Sequence, residues 1–175
     1  MLELTPGAHL EVSALLHQRG YRIRQFQQVW RMPLAHRPEE PRLEHRLARP
    51  GDGFGAVVMA GFMGSDDPGA MDIKGIPSME GVPGTAAFLS WVDGHPAGGG
   101  CVSVFDGVAV LSGTSVLPRF RGRGLQKALI AARLAWAWDQ GAREACSATL
   151  PGTASQASLE RAGYRVAYPK LELVK

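Results

Sequence analysis

Hydrophobic and polar positions change rhythm several times along the chain, and each rhythm predicts an element. Over residues 8–19, Leu10, Val12, Ala14 and Leu15 share one face at helical spacing, and Gly20 follows as a stop. Residues 21–31 alternate over part of their length and predict a strand. Pro33, Pro38 and Pro41 mark a linker, and residues 43–48 read as a second strand. Asp52 is placed to cap a helix reaching Phe62, although Gly53, Gly55 and Gly61 weaken it. Residues 64–84 hold five glycines, three prolines and few large apolar side chains, which predicts a long loop, either a substrate-side lid or a plain surface loop. Three β-prone runs follow, 85–92, 99–105 and 108–117, separated by the hairpin signals Asp93-Gly94 and Asp106-Gly107. Residues 122–140 predict a helix whose buried face carries Leu125, Leu129, Ala132 and Trp136, with Gly141 ending it. A short strand over 144–149 precedes a helix over 153–162, where Thr153 and Gln156 have capping-box spacing. The last strand covers 164–174, and Pro169 predicts an edge or bulge position within it.

The junction between the third β-prone run and the long helix carries the clearest chemistry. It reads Ser115-Val116-Leu117-Pro118-Arg119-Phe120-Arg121-Gly122-Arg123-Gly124-Leu125-Gln126. The first N–H groups of a helix have no partner inside it, and the helix dipole adds partial positive charge there. Glycines let a ligand approach the backbone, because no Cβ intervenes. Arg119, Arg121 and Arg123 add full charges suited to phosphate oxygens. A phosphate or pyrophosphate is the natural guest of such a cradle.

Composition narrows the partners. The 175 residues are 45% hydrophobic and 20% charged, which suits one domain with a real core, or one domain plus an extension. A net charge of +3 falls short of a nucleic-acid footprint, whereas an anionic small ligand fits it. Arginine-glycine segments that contact RNA are usually disordered. This one is locked between a strand and a helix, so no nucleic acid is assigned. No apolar run is long enough to span a membrane, and the first residues lack the basic and apolar parts of a signal peptide. Cys101 and Cys146 lie far apart in strand-like segments and read as small core residues, consistent with a cytoplasmic protein. The histidines at 9, 17, 36, 45 and 95 have no metal-ligand spacing, and no metal is assigned.

The order of elements, together with Arg119-Phe120-Arg121-Gly122-Arg123-Gly124, resembles the GCN5-related N-acetyltransferase superfamily and its acetyl-CoA signature, Gln/Arg-x-x-Gly-x-Gly/Ala. Leu159-Glu160-Arg161-Ala162-Gly163-Tyr164-Arg165 is similar to that family's usual helix close before its penultimate strand. The resemblance covers residues 42–175. It implies an α/β fold of the α+β type: a mixed, mostly antiparallel twisted sheet flanked by helices. The domain organisation expected is an N-terminal helix-strand extension over 1–40, packing on the acetyltransferase domain over 41–175. The resemblance also implies that the motif strand and the next strand splay apart. Pantetheine then lies along Ser115, Val116 and Leu117 as an added strand would. Arg121, Gly122, Arg123, Gly124, Leu125 and Gln126 hold the pyrophosphate, Arg119 counts with them among the cofactor-binding residues, and a backbone N–H near Val116 faces the thioester oxygen.

The reaction implied is acetyl transfer from acetyl-CoA to a primary amine of a small molecule or protein. The family's frequent general-acid Tyr falls on Leu159, and a frequent Asn falls on Gly152. Ser158 and Tyr164 are the nearby substitutes, each with a plainer reading: Ser158 as a helix-bonded hydroxyl, Tyr164 as a core aromatic. For the base, Glu80, Glu144 and a water relay all stay open. The alternative function is a catalytically degenerate acyl-CoA-binding module. In the front segment, Leu16 and Gly20-Tyr21-Arg22 echo Leu159 and Gly163-Tyr164-Arg165, both at a helix-to-strand junction. Only one strand fits after the last helix, where the family has two. Residues 21–31 are therefore expected to supply the missing strand, from the same chain or from the partner in a homodimer.

Overall fold

The computed structural model describes residues 1–73, 79 and 81–175. In chain order the elements are β1 (Leu2–Leu4), α1 (Leu10–Gln18), β2 (Arg22–Pro33), β3 (His45–Leu47), α2 (Phe54–Met63), β4 (Thr85–Val92), β5 (His95–Phe105), β6 (Val108–Val116), α3 (Leu125–Asp139), β7 (Glu144–Thr149), α4 (Ala154–Arg161) and β8 (Arg165–Val174). This is an α/β fold with eight strands and four α-helices among the described residues. None of those helices is long and apolar enough to cross a membrane. The chain divides into a central unit, Pro33–Ala145, and a terminal unit built from Met1–Met32 and Cys146–Lys175.

In the central unit, β3 pairs with β4, β4 with β5 and β5 with β6, all antiparallel. The two hairpin turns form where Asp-Gly predicts them. Asp93 and Gly94 have φ of 50° and 76°, Asp106 and Gly107 of 47° and 78°, the paired positive values that let a two-residue turn follow strand twist. Consecutive residues of β5 show where the helices lie. A Cβ on Gly99 would meet Phe54 and Val58 of α2, and one on Gly100 would meet Arg133 of α3. Neighbouring strand residues point to opposite faces, so α2 and α3 cover opposite faces of this sheet. The two glycines let both helices press onto β5 at less than side-chain distance. Phe54, Val57, Leu89, Ala97, Leu117 and Leu125 are among the buried residues of the core on the α2 side. Helix α3 is buried beyond its expected face. Ala128, Ile130, Leu134 and Ala135 join Leu125, Leu129 and Ala132 in the interior, and Trp136 is half-buried.

Asp52 does not cap α2. Its carboxylate accepts the Arg49 N–H at 2.8 Å and pairs with Arg46 at 2.9 Å, while Gly53, in the left-handed region, precedes the helix. The Arg46 side chain, six residues upstream, competes for the carboxylate that a local reading gives to the helix.

In the terminal unit, β8 pairs antiparallel with β1 on one side and with β2 on the other. β2 therefore supplies the expected ladder from the same chain, along nine register positions from Arg22↔Val174 to Arg31↔Arg165. Strand β1 was not expected from its three residues. Pro169 sits opposite Gln28, next to a register shift at Val29/Trp30 and beyond the stretch of β8 that β1 covers. The echo in sequence is also an echo in structure. Tyr21 N–H bonds Leu16 O and Gly20 N–H bonds His17 O; Tyr164 N–H bonds Leu159 O and Gly163 N–H bonds Glu160 O, at 2.9–3.0 Å. Helix α1 forms as expected, but Val12, Ala14 and Leu15 are exposed and Leu16 is half-buried. Thr153 caps α4 through Gln156 N–H at 3.3 Å, and the Gln156 side chain returns to Gly152 N–H instead of Thr153 N–H.

Candidate active site

The cradle begins with a bend in β6. Ser112 pairs with Cys101 and Ser115 with Gly99, so Gly113 and Thr114 together oppose the single residue Gly100. Gly113 has φ of 57°, which makes this a bulge of the glycine type. Beyond it, Leu117 N–H donates to Ala97 O of β5 at 2.9 Å. Backbone groups alternate along an antiparallel strand, so the Val116 N–H points away from β5. The Ser115 hydroxyl donates to Val58 O of α2 at 2.8 Å, and Gly61 of α2 lies directly against Ser115 and Val116.

After β6 the chain makes a single 3-10 turn, Pro118–Phe120, and then passes through Gly122 and Gly124 with φ of 75° and 79°. These values favour glycine for the backbone itself, and they move the start of α3 from the expected residue 122 to Leu125. With Gly124 at the N-cap, no side chain closes the helix start. The first turn instead carries Lys127, exposed, and no acidic residue. A cation there is opposed by the helix dipole, by about 0.3–1 kcal/mol at an exposed site, and an anion at the helix start would offset that. Lys127 stands at the start of this helix, where the arginine-glycine motif alone leaves it out; the sign of its charge at a helix start was the available signal.

The three arginines have different jobs. Arg119 and Arg123 are exposed and lie over the buried Phe120 ring, at 4.8 and 5.6 Å from its centroid. The Arg119 N–H donates to Asp66 Oδ1 at 2.8 Å, tying the cradle to the loop after α2. Arg121 donates from Nε to Val116 O at 3.1 Å and from Nη2 to Gly61 O at 2.8 Å. It braces the end of α2 against β6, a task unseen at the sequence level because Gly61 lies sixty residues away.

The structure brings Ser115, Val116, Leu117, Arg119, Arg121, Gly122, Arg123, Gly124, Leu125 and Gln126 into one continuous junction of the central unit. Ser158 and Tyr164 belong to the terminal unit. The Ser158 hydroxyl donates to Ala154 O at 2.9 Å and accepts from Arg161 at 3.2 Å; Tyr164 is 1% exposed. Leu159, in place of the expected acid, is buried. Glu144 opens β7 with its N–H on Gly107 O, at the hairpin end of β6. Nine residues of strand, about 30 Å, separate that end from Val116, so Glu144 is no base for chemistry there. Glu80 lies outside the described residues.

A family model described as the acetyltransferase (GNAT) family matches residues 64–164. The chain belongs to the GNAT family. Its fold is similar to that of a GCN5-related N-acetyltransferase from Kribbella flavida, at 21% identity and a TM-score of 0.71, over 98% of this chain and 66% of that one. A GCN5-related N-acetyltransferase from Sphaerobacter thermophilus matches at 19% identity and a TM-score of 0.67, over 97% of this chain and 56% of that one. The chain thus spans between half and two thirds of the length of these two GNAT structures. An aminoglycoside N-acetyltransferase in complex with CoA is 27% identical with a TM-score of 0.57, over 73% of this chain and 91% of that one. No curated protein matches the sequence.

Proposed function

We propose that the chain is an acetyl-CoA-dependent N-acetyltransferase that acts on a primary amine of a small molecule or protein. The observation that carries this reading is the junction itself: a bulged strand whose Val116 N–H faces away from β5, followed by a helix start with no side-chain cap and with exposed Arg119, Arg123 and Lys127 close by in the chain. The CoA complex of the related aminoglycoside enzyme supports the choice of ligand. In this reading the pyrophosphate lies at the N–H groups of Gly124, Leu125 and Gln126, and the pantetheine runs along Ser115, Val116 and Leu117. The amine nitrogen attacks the thioester carbon, the C–S bond breaks and the amine proton leaves to water. The Val116 N–H steadies the charge on the carbonyl oxygen. Residues 41–175 carry this chemistry and residues 1–40 are an extension that completes the ladder of β8.

The set of proton donors favours a second reading. The Ser158 hydroxyl already donates its hydrogen bond to Ala154 O, Tyr164 is buried, and Leu159 has no proton to offer. A chain with that set binds acyl-CoA and turns it over without acid help, or not at all. A thiol of pKa about 8.5 leaves tolerably as an anion at neutral pH, so loss of the acid slows transfer without forbidding it. Calorimetry with acetyl-CoA, followed by a thiol-release screen over amines, tests both readings. Binding with release supports the transferase, binding without release supports the degenerate module, and absence of binding at high micromolar ligand refutes both.

A further inference from the structure

Arg133 is a charged residue in the middle of α3, and it is 1% exposed. It follows Leu129 by one turn, on the face that the helix turns inward. Its guanidinium lies under the bulge of β6. Nη1 donates to Cys101 O at 2.9 Å and to Ser112 O at 3.2 Å, while Nε donates to Leu129 O at 2.8 Å. Cys101 and Ser112 are the last pair in register before the extra residue. A bulge interrupts the ladder next to this pair, so a further donor there helps to hold the backbone. Arg133 supplies it from below, and Gly100, the residue opposite the bulge, makes the room. A Cβ there would lie 2.9 Å from both Cζ and Nη1 of Arg133.

The bulge decides what β6 presents. One inserted residue reverses which face and which edge every later group points to. With it, Val116 N–H points away from β5; without it, Val116 would take the place of Leu117 in the ladder. We propose that Arg133 is a positioning residue for acyl transfer: by holding the carbonyls at the bulge, it aims the Val116 N–H at the thioester oxygen. The inference rests on the acetyl-CoA reading above and adds to it a residue outside the cradle.

Two probes isolate the aim of that N–H. Acetyl-CoA and S-ethyl-CoA differ in the carbonyl oxygen that the N–H would meet. Calorimetry on the unaltered chain should give acetyl-CoA the tighter binding, by about fivefold, the worth of one net hydrogen bond. In Arg133→Met that preference should fall to under about twofold while S-ethyl-CoA affinity stays within about twofold of its starting value. Gly100→Ala, which pushes the guanidinium aside and keeps its charge, should do the same, and Arg133→Lys should recover part of the preference. Gly100→Ala also serves where Arg133→Met does not fold. A merely structural arginine would lower melting temperature and move both ligands together. A preference that survives in folded Arg133→Met or Gly100→Ala overturns the inference, as does an unaltered chain that binds both probes equally. Failure of the unaltered chain to bind either probe overturns the acetyl-CoA reading itself.

Discussion

Two glycines of the same helix should respond in opposite directions to the same substitution. Gly55 and Gly61 both lie in α2, and neither has a left-handed φ. Alanine at either position gains helix propensity, at most about 1 kcal/mol and less near the ends. At Gly55 the new methyl would meet, among the described residues, only Ile73 Cδ1, at 3.8 Å, an ordinary contact. Gly55→Ala should therefore stabilise the chain by about 0.5–1 kcal/mol. At Gly61 the methyl would strike the Ser115 hydroxyl and come within 2.8 Å of Ser115 Cβ and 3.2 Å of Val116 N. Ser115 is held by its bond to Val58 O, and both partners belong to packed elements that cannot simply step back. Overpacking costs about 1–3 kcal/mol, and breaking the Ser115 bond adds about 1 kcal/mol. After the propensity gain, Gly61→Ala should lose about 1–3 kcal/mol, which for a chain of this size lowers the melting temperature by about 2–12 °C. Thermal denaturation of the pair is the assay. Calorimetry should also show weaker acetyl-CoA binding for Gly61→Ala alone. If Gly61→Ala melts at or above the unaltered chain, the close seating of α2 on Ser115 and Val116 is wrong.

Other predictions follow from the same contacts. Arg121→Ala should cost about 1–2 kcal/mol in urea denaturation, because it frees α2 from β6; unchanged stability with a reduced salt dependence of CoA binding would instead make Arg121 a phosphate ligand. Gly122→Ala should cost about 1–2 kcal/mol through its left-handed φ although its methyl would touch none of the described residues, and Gly122→Asn should cost less. Asp52 has its pKa lowered from 3.8, mainly by the Arg49 N–H and then by Arg46. A carboxylate with a lowered folded pKa stabilises the fold above its unfolded value and loses that contribution as pH falls through the folded one. Asp52→Asn should therefore lower stability near pH 7, and the difference should shrink below about pH 4, as read from melting curves at both pH values.

The central strands were legible because local rules and packing agree there. Asp-Gly turns and alternating apolar residues place β4, β5 and β6 within a few residues, and Glu144–Thr149 forms as read. The cradle was legible for the same reason: its residues are contiguous. What escaped depends on distant partners. Asp52 serves Arg46 instead of the helix, Arg121 serves Gly61, and Arg133 sits under a bulge that depends on Gly100. The three adjacent glycines of β5 and an arginine one turn after Leu129 were visible signs, but their meaning lies in pairing across strands. Helix α1 shows the reverse limit: periodicity gave the helix, and it did not say that Val12 and Leu15 would be exposed.

The split of the chain has a consequence for the order of assembly. The central unit is one uninterrupted stretch, so the segments it is built from all lie within residues 33–145. The terminal unit joins the two ends: β2 must wait for β8, more than 130 residues later, before its nine register positions exist. Loop closure over that span is slow, and an early β2 is an unpaired strand with Ile23 and Phe26 exposed. During synthesis, β2 is thus a twelve-residue strand that is made early and has to wait for its β8 ladder.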